Sequence, residues 1–78
     1  MTEEEFLKQM EDWNVRPGFY NINGPLKDFS YNLLKVSADE YVLFYLEKGE
    51  IDDRQIFFTY EEALDYLSRR IKEVYDIL

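Results

Sequence analysis

Cysteine and histidine are both missing from this 78-residue chain. With them go the thiolate and imidazole that most often serve as nucleophile, general base or transition-metal ligand. A disulfide framework and a thiolate zinc site are excluded, and nothing points to an oxidising compartment. Basic residues are also scarce, nine against 17 acids, for a net charge of −8. Such a surface repels nucleic acid and anionic lipid and attracts basic proteins, so direct DNA, RNA or membrane binding is not expected. No apolar run approaches the roughly 18 residues that a spanning helix needs. Met1-Thr2-Glu3-Glu4-Glu5 lacks the basic opening of a secretory leader, and the expectation is a cytoplasmic protein. With only three glycines and two prolines, there is no linker, repeat or low-complexity stretch, and residues 1–78 read as one domain.

Chemistry is equally thin among the residues that remain. Gly18 and Gly24 open no helix and precede no Lys at the offset a phosphate loop requires, so they are turn glycines. Glu50, Asp52 and Asp53 lack the alternating ligands and central Gly of a calcium loop. Ser30, Ser37, Ser68, Thr2 and Thr59 have no partner base, and the two threonines have a simpler use as helix caps. An enzyme is not expected, and neither a cofactor nor a metal is implied.

Apolar residues are plentiful, at 46% of the chain, with seven Tyr and six Phe, more than a domain of this size easily hides. Thr2-Glu3-Glu4-Glu5 has the spacing of a capping box, and Phe6, Leu7, Met10 and Trp13 follow at helical spacing, which predicts a helix over 3–13. It must stop by Arg16, because Pro17 disfavours the α region in the residue before it. Short aromatic and branched runs then predict strands at Phe19–Asn23, Phe29–Val36, Tyr41–Lys48 and Arg54–Phe58. The turns fall at Asn23-Gly24-Pro25, Ser37–Glu40 and Gly49–Asp53. A second capping box, Thr59-Tyr60-Glu61-Glu62, opens a last helix, with Phe58 placed to staple onto Ala63 and a stripe of Ala63, Leu64, Leu67, Ile71, Val74 and Leu78. The expected fold is α+β: a four-stranded antiparallel meander sheet flanked by an N-terminal and a C-terminal helix, in the order α-β-β-β-β-α.

Two features suggest where such a domain would bind. Helix starts account for Glu3, Glu4, Glu5, Glu61, Glu62 and Asp65. By contrast, the stretch from Asp39 to Asp53 carries six acids against the single base Lys48. Alternate turns of a meander share an end, which groups Asp28 with Glu47, Glu50, Asp52 and Asp53 and leaves Asp39 and Glu40 at the far edge. The sheet also lacks a polar face: along the third strand Tyr41, Leu43 and Tyr45 point one way, and Val42, Phe44 and Leu46 the other. Either the helices divide between the faces or one face meets a partner.

The order of motifs resembles a known family. Gly18-Phe19-Tyr20-Asn21-Ile22-Asn23-Gly24, then Tyr31 and Leu33, Tyr45-Leu46-Glu47-Lys48-Gly49, and Phe57 before Thr59-Tyr60-Glu61-Glu62-Ala63 are similar to the immunity protein 59 family. These are small bacterial immunity proteins of polymorphic toxin systems. Tyr41, Leu46 and Lys48 stand where the family has Trp, Ser and Arg. The resemblance, over roughly residues 18–70, implies a protein that neutralises a cognate toxin by binding it, with no chemistry of its own. A basic nuclease is one kind of toxin that would suit an acidic inhibitor. On this reading Asp28, Glu47, Glu50, Asp52 and Asp53 would steer and pair with basic groups, while Phe44, Tyr45 and Leu46 would supply buried area. The alternatives are a phage or mobile-element DNA mimic that inhibits a nucleic-acid-binding defence protein, and a small subunit that forms a homodimer through its apolar sheet face.

Overall fold

The structure, a computed structural model, describes residues 1–22 and 24–75. Asn23, the end of the expected first strand, and residues 76–78, with Leu78 of the expected helix stripe, lie outside them.

Helix α1 spans Glu3–Asp12 and opens on the full capping box: the Glu5 N–H donates to the Thr2 hydroxyl and the Thr2 N–H to the Glu5 carboxylate. It stops sooner than Pro17 requires. Asn14 takes a left-handed conformation at φ 58°. The Asn14 and Val15 N–H groups reach back to the carbonyls of Glu11 and Met10. This is a Schellman ending in which Val15 packs into the core beside Met10, with Asn in the place Gly usually takes.

After a 3₁₀ turn at Pro17–Phe19 come β1 (Tyr20–Asn21), β2 (Ser30–Ser37), β3 (Glu40–Glu47) and β4 (Glu50–Phe57), then α2 (Tyr60–Val74). The architecture is α+β, and the strands are ordered β1-β2-β3-β4 across the sheet. The sheet is mixed rather than a pure meander, because β1 pairs parallel to β2, Tyr20 with Tyr31 and Asn21 with Asn32. Side-chain hydrogen bonds explain how a loop this short makes a parallel connection. The fully buried Asn32 carbonyl accepts from the Asn21 side chain and the Lys27 N–H, both at 2.9 Å, and its amide donates to the Lys27 and Ser30 carbonyls. Asn21 also donates to Pro25 O at 2.8 Å. A pair of asparagines thus ties the returning loop to the sheet and satisfies polar groups that burial would otherwise penalise.

The last hairpin also differs from its sequence pattern. Glu47 pairs with Glu50, so the turn is the two residues Lys48-Gly49, both at positive φ, 51° and 78°, as a type I′ hairpin requires. Residues 50–53 are strand rather than loop. Their Asp and Glu content disfavours a strand locally, but pairing overrides propensity, and charge suits an exposed edge that must not recruit other strands. Between the pairs Leu43–Gln55 and Tyr45–Asp52, both Asp53 and Arg54 oppose Phe44. This is a bulge, with Asp53 at φ 51°.

Both helices lie on one face. Phe6 and Met10 of α1 and Leu64, Leu67 and Ile71 of α2 form one core with Tyr31, Leu33 and Leu43. Val42 and Phe44 are buried but stand outside that core, on the opposite face with Leu34, Leu46, Ile51 and Ile56. No helix covers this second face among the described residues. At the start of α2 only half of the expected box forms. The Glu62 N–H donates to the Thr59 hydroxyl, which in turn donates to the Glu62 carboxylate. Phe58 is 68% exposed, so it makes no effective staple onto the buried Ala63, and Val74, expected on the buried stripe, is 53% exposed.

Candidate protein-binding site

The β3–β4 hairpin gathers the expected acids at one end of the sheet. Because side chains alternate, the ladder pairs Tyr45–Asp52 and Glu47–Glu50 project from the same face. The Phe29 N–H donates to Leu46 O at 2.6 Å, which brings the neighbouring Asp28 to this end as well. Asp28, Glu47, Glu50 and Asp52 are all exposed, and none belongs to an ion pair among the described residues. In particular, Glu47 and Lys48 form no pair, the turn having taken Lys48 into a left-handed conformation.

Two expected contact residues do not belong to this surface. Asp53 is committed to the fold: its carboxylate accepts from the hydroxyls of Tyr31 (3.1 Å) and Tyr66 (2.9 Å), from Gln55, and from Arg70 Nε at 3.0 Å. Burial alone would raise this carboxyl, but the Tyr66, Tyr31 and Gln55 hydrogen bonds and the Arg70 charge outweigh it and hold Asp53 below its ordinary 3.8. Burial pushes the Tyr31 and Tyr66 hydroxyls upward, keeping both as protonated donors. The left-handed bulge aims Asp53 at α2, and linear spacing gave no sign of that. Phe44 is only 5% exposed, sitting opposite the buried Asn32, and so cannot supply the buried area expected of it. Tyr45 and Leu46 are half-buried and lie on opposite faces.

Other residues replace them. On the open face Ile51 is 57% exposed and Ile56 43%, and Phe29, just before β2, is 45% exposed. On the helix-bearing face, Phe19, Tyr31, Tyr45 and Val74 line a cavity of about 160 Å³ next to the acids. The surplus of apolar residues was the sequence signal for both, but the gathering of the cavity's rings needs the 3₁₀ turn and α2 to be in place.

Glu47 and Glu50 carry a structural cost. Like charges directly opposite in a ladder destabilise a sheet by up to ~1 kcal/mol. Glu50→Lys is therefore expected to stabilise the fold by about 0.5–1 kcal/mol, raising the melting temperature by roughly 4 °C. A thermal scan showing no gain would mean that solvent already screens the pair.

Among the described residues no group of three or more Asp or Glu side chains converges to hold a metal ion, and no helix is long and apolar enough to cross a membrane. Comparison with family models, with curated proteins and with solved structures finds no match.

Proposed function

We propose that this protein is an immunity-type inhibitor that binds and neutralises a basic bacterial toxin domain through the acidic end of its β3–β4 hairpin and the adjoining aromatic and aliphatic surface. The observation that carries the proposal is the Glu47–Glu50 pair. Two like charges are held opposite each other, with Asp28 and Asp52 near and no cation pairing with any of the four among the described residues. A fold indifferent to that charge would be more stable without it, whereas a basic partner would find it already assembled. The motif resemblance to bacterial immunity proteins points the same way. Binding would block the toxin's own surface, and for a nuclease the acids would compete with its nucleic-acid substrate.

The test is the polypeptide encoded beside this chain's gene. Its expression alone is expected to arrest growth, co-expression of this chain to restore it, and the two to co-purify as a stoichiometric complex. A harmless neighbour, or a toxic one that this chain neither binds nor neutralises, would remove the proposal.

A second reading is favoured by the exposed Ile51, Ile56 and Phe58 along the edge strand and just past its end: a homodimer formed through the open face. Concentration-dependent sedimentation of the isolated chain would support it. The DNA-mimic reading is weakened by Asp39 and Glu40, which lie at the opposite end of β3 from Glu47, so the acids do not run as one phosphate-like track.

A further inference from the structure

We infer that the aromatic slot at the acidic end receives a single arginine side chain of the partner protein, its guanidinium lying against the half-buried Tyr45 ring and drawn to Asp52 and Glu47. The inference rests on the partner being basic, as proposed above, and it names the group that the site would recognise.

The slot is built by convergence of four elements. Phe19 comes from the 3₁₀ turn, Tyr31 and Tyr45 are ladder partners on β2 and β3, and Val74 ends α2. The rings meet at angles rather than in a flat stack: Tyr31 and Tyr45 are 5.2 Å apart at 63°, and Phe19 lies 5.9 Å from Tyr31 and 6.1 Å from Tyr45. Phe19 and Tyr31, 8% and 3% exposed, form its floor, and the half-buried Tyr45 is the ring whose negative quadrupole an entering group would meet. At about 160 Å³ it falls well below the roughly 300 Å³ at which small-molecule sites begin, so a side chain suits it and a cofactor does not.

The electrostatics select the occupant. Asp52 stands directly across the ladder from Tyr45, and Glu47, two residues along β3, shares that face at about 7 Å. Rings flanked by carboxylates favour a cation over a neutral apolar group. Arginine suits them better than lysine, because its planar guanidinium stacks on rings, forms paired hydrogen bonds to carboxylates and is more weakly hydrated. The chain's own Arg70 is already engaged, by Asp53 and Glu73, each at 3.0 Å. The arrangement has a counterpart within the molecule, where the Arg69 guanidinium sits 6.0 Å above the Tyr66 ring.

The probe is the blocked tripeptide acetyl-Gly-Arg-Gly-amide, titrated into the full chain while ring and methyl NMR signals are followed, with the norleucine tripeptide as apolar control. Saturable shifts at Phe19, Tyr31, Tyr45 and Val74 are expected, about tenfold tighter for arginine than for norleucine. The Glu47→Gln, Asp52→Asn double variant should erase that preference. Equal binding of norleucine would overturn the inference in favour of a plain apolar pocket, and shifts confined to the acids would reduce it to surface ion pairing. Val74→Arg, at an exposed lip of α2, should fill the slot from within and abolish tripeptide binding without unfolding the sheet. If Val74→Arg also weakens the toxin complex by about tenfold or more, the slot is an anchor of that interface. A complex unaffected by Val74→Arg would overturn the slot inference and leave the inhibitor proposal standing. Tripeptide binding by a chain whose neighbour proves harmless would do the reverse.

Discussion

Asp53→Ala is expected to cost the fold about 3 kcal/mol, a drop in melting temperature of roughly 10–20 °C for a domain of this size. The substitution leaves the Tyr31 and Tyr66 hydroxyls and the Arg70 guanidinium without their shared acceptor. It also puts a Cβ-bearing residue with no compensating side-chain hydrogen bond at φ 51°, where Asp and Asn are tolerated better than Ala. Asp53→Asn separates the two effects, since it keeps the backbone preference and one carbonyl acceptor but loses the charge, and it should cost about half as much. The charge component has a pH signature. Asp53 titrates below 3.8 in the folded chain, so its contribution is fully present above that value and fades as pH falls through the folded one, because the unfolded chain takes up the proton first. The stability gap between wild type and Asp53→Asn, read from urea midpoints, should therefore narrow only below about pH 4. A gap that persists unchanged into strong acid would show that the network does not depend on the carboxylate.

Reversing Asp28, Glu47 and Glu50 together to Lys should slow association with the proposed toxin partner by about 10- to 100-fold at low salt, because steering by exposed charge acts chiefly on the on-rate. At about 0.5 M salt the Debye length falls to a few ångströms, and the variant and wild type should then associate at similar rates. Asp53 is left out of this set because its loss would destabilise the fold rather than test its surface. The variant should be about as stable as wild type, since it exchanges the opposed Glu47–Glu50 pair for an opposed lysine pair of similar cost and breaks no ion pair among the described residues. Stopped-flow association across a salt series supplies the measurement. An unchanged on-rate would eliminate the acidic end as the docking surface, whereas a loss of folded signal would locate the fault in the fold.

These two outcomes separate acids that look alike in the sequence. Asp52 and Asp53 are adjacent and identical, yet one is exposed beside Tyr45 and the other is held by four side chains. A single bulged residue made the difference, and bulges leave no periodic trace in a strand whose alternation they break. The same limit explains β4, whose first residues resembled a loop because an edge strand tolerates the charges that a central strand excludes. Asn32 is a third case: nothing in Tyr31-Asn32-Leu33 marks it out, but it is the hub that holds the parallel β1 in place.

What the sequence determined by itself is the class of the molecule and its elements. Capping at Thr2 and Thr59, helical spacing in two stripes and alternating aromatic runs are local signals, and they specified two helices around four strands. The shortage of titratable side chains suited to catalysis and the excess of acid were likewise legible, because composition needs no geometry. The tertiary structure alone decided which face the helices cover, that β1 runs parallel to β2, which of the clustered acids are free and that three aromatic side chains meet in a slot. Each of these depends on contacts between residues far apart in the chain, whose distances are set by packing and not by their spacing along the backbone.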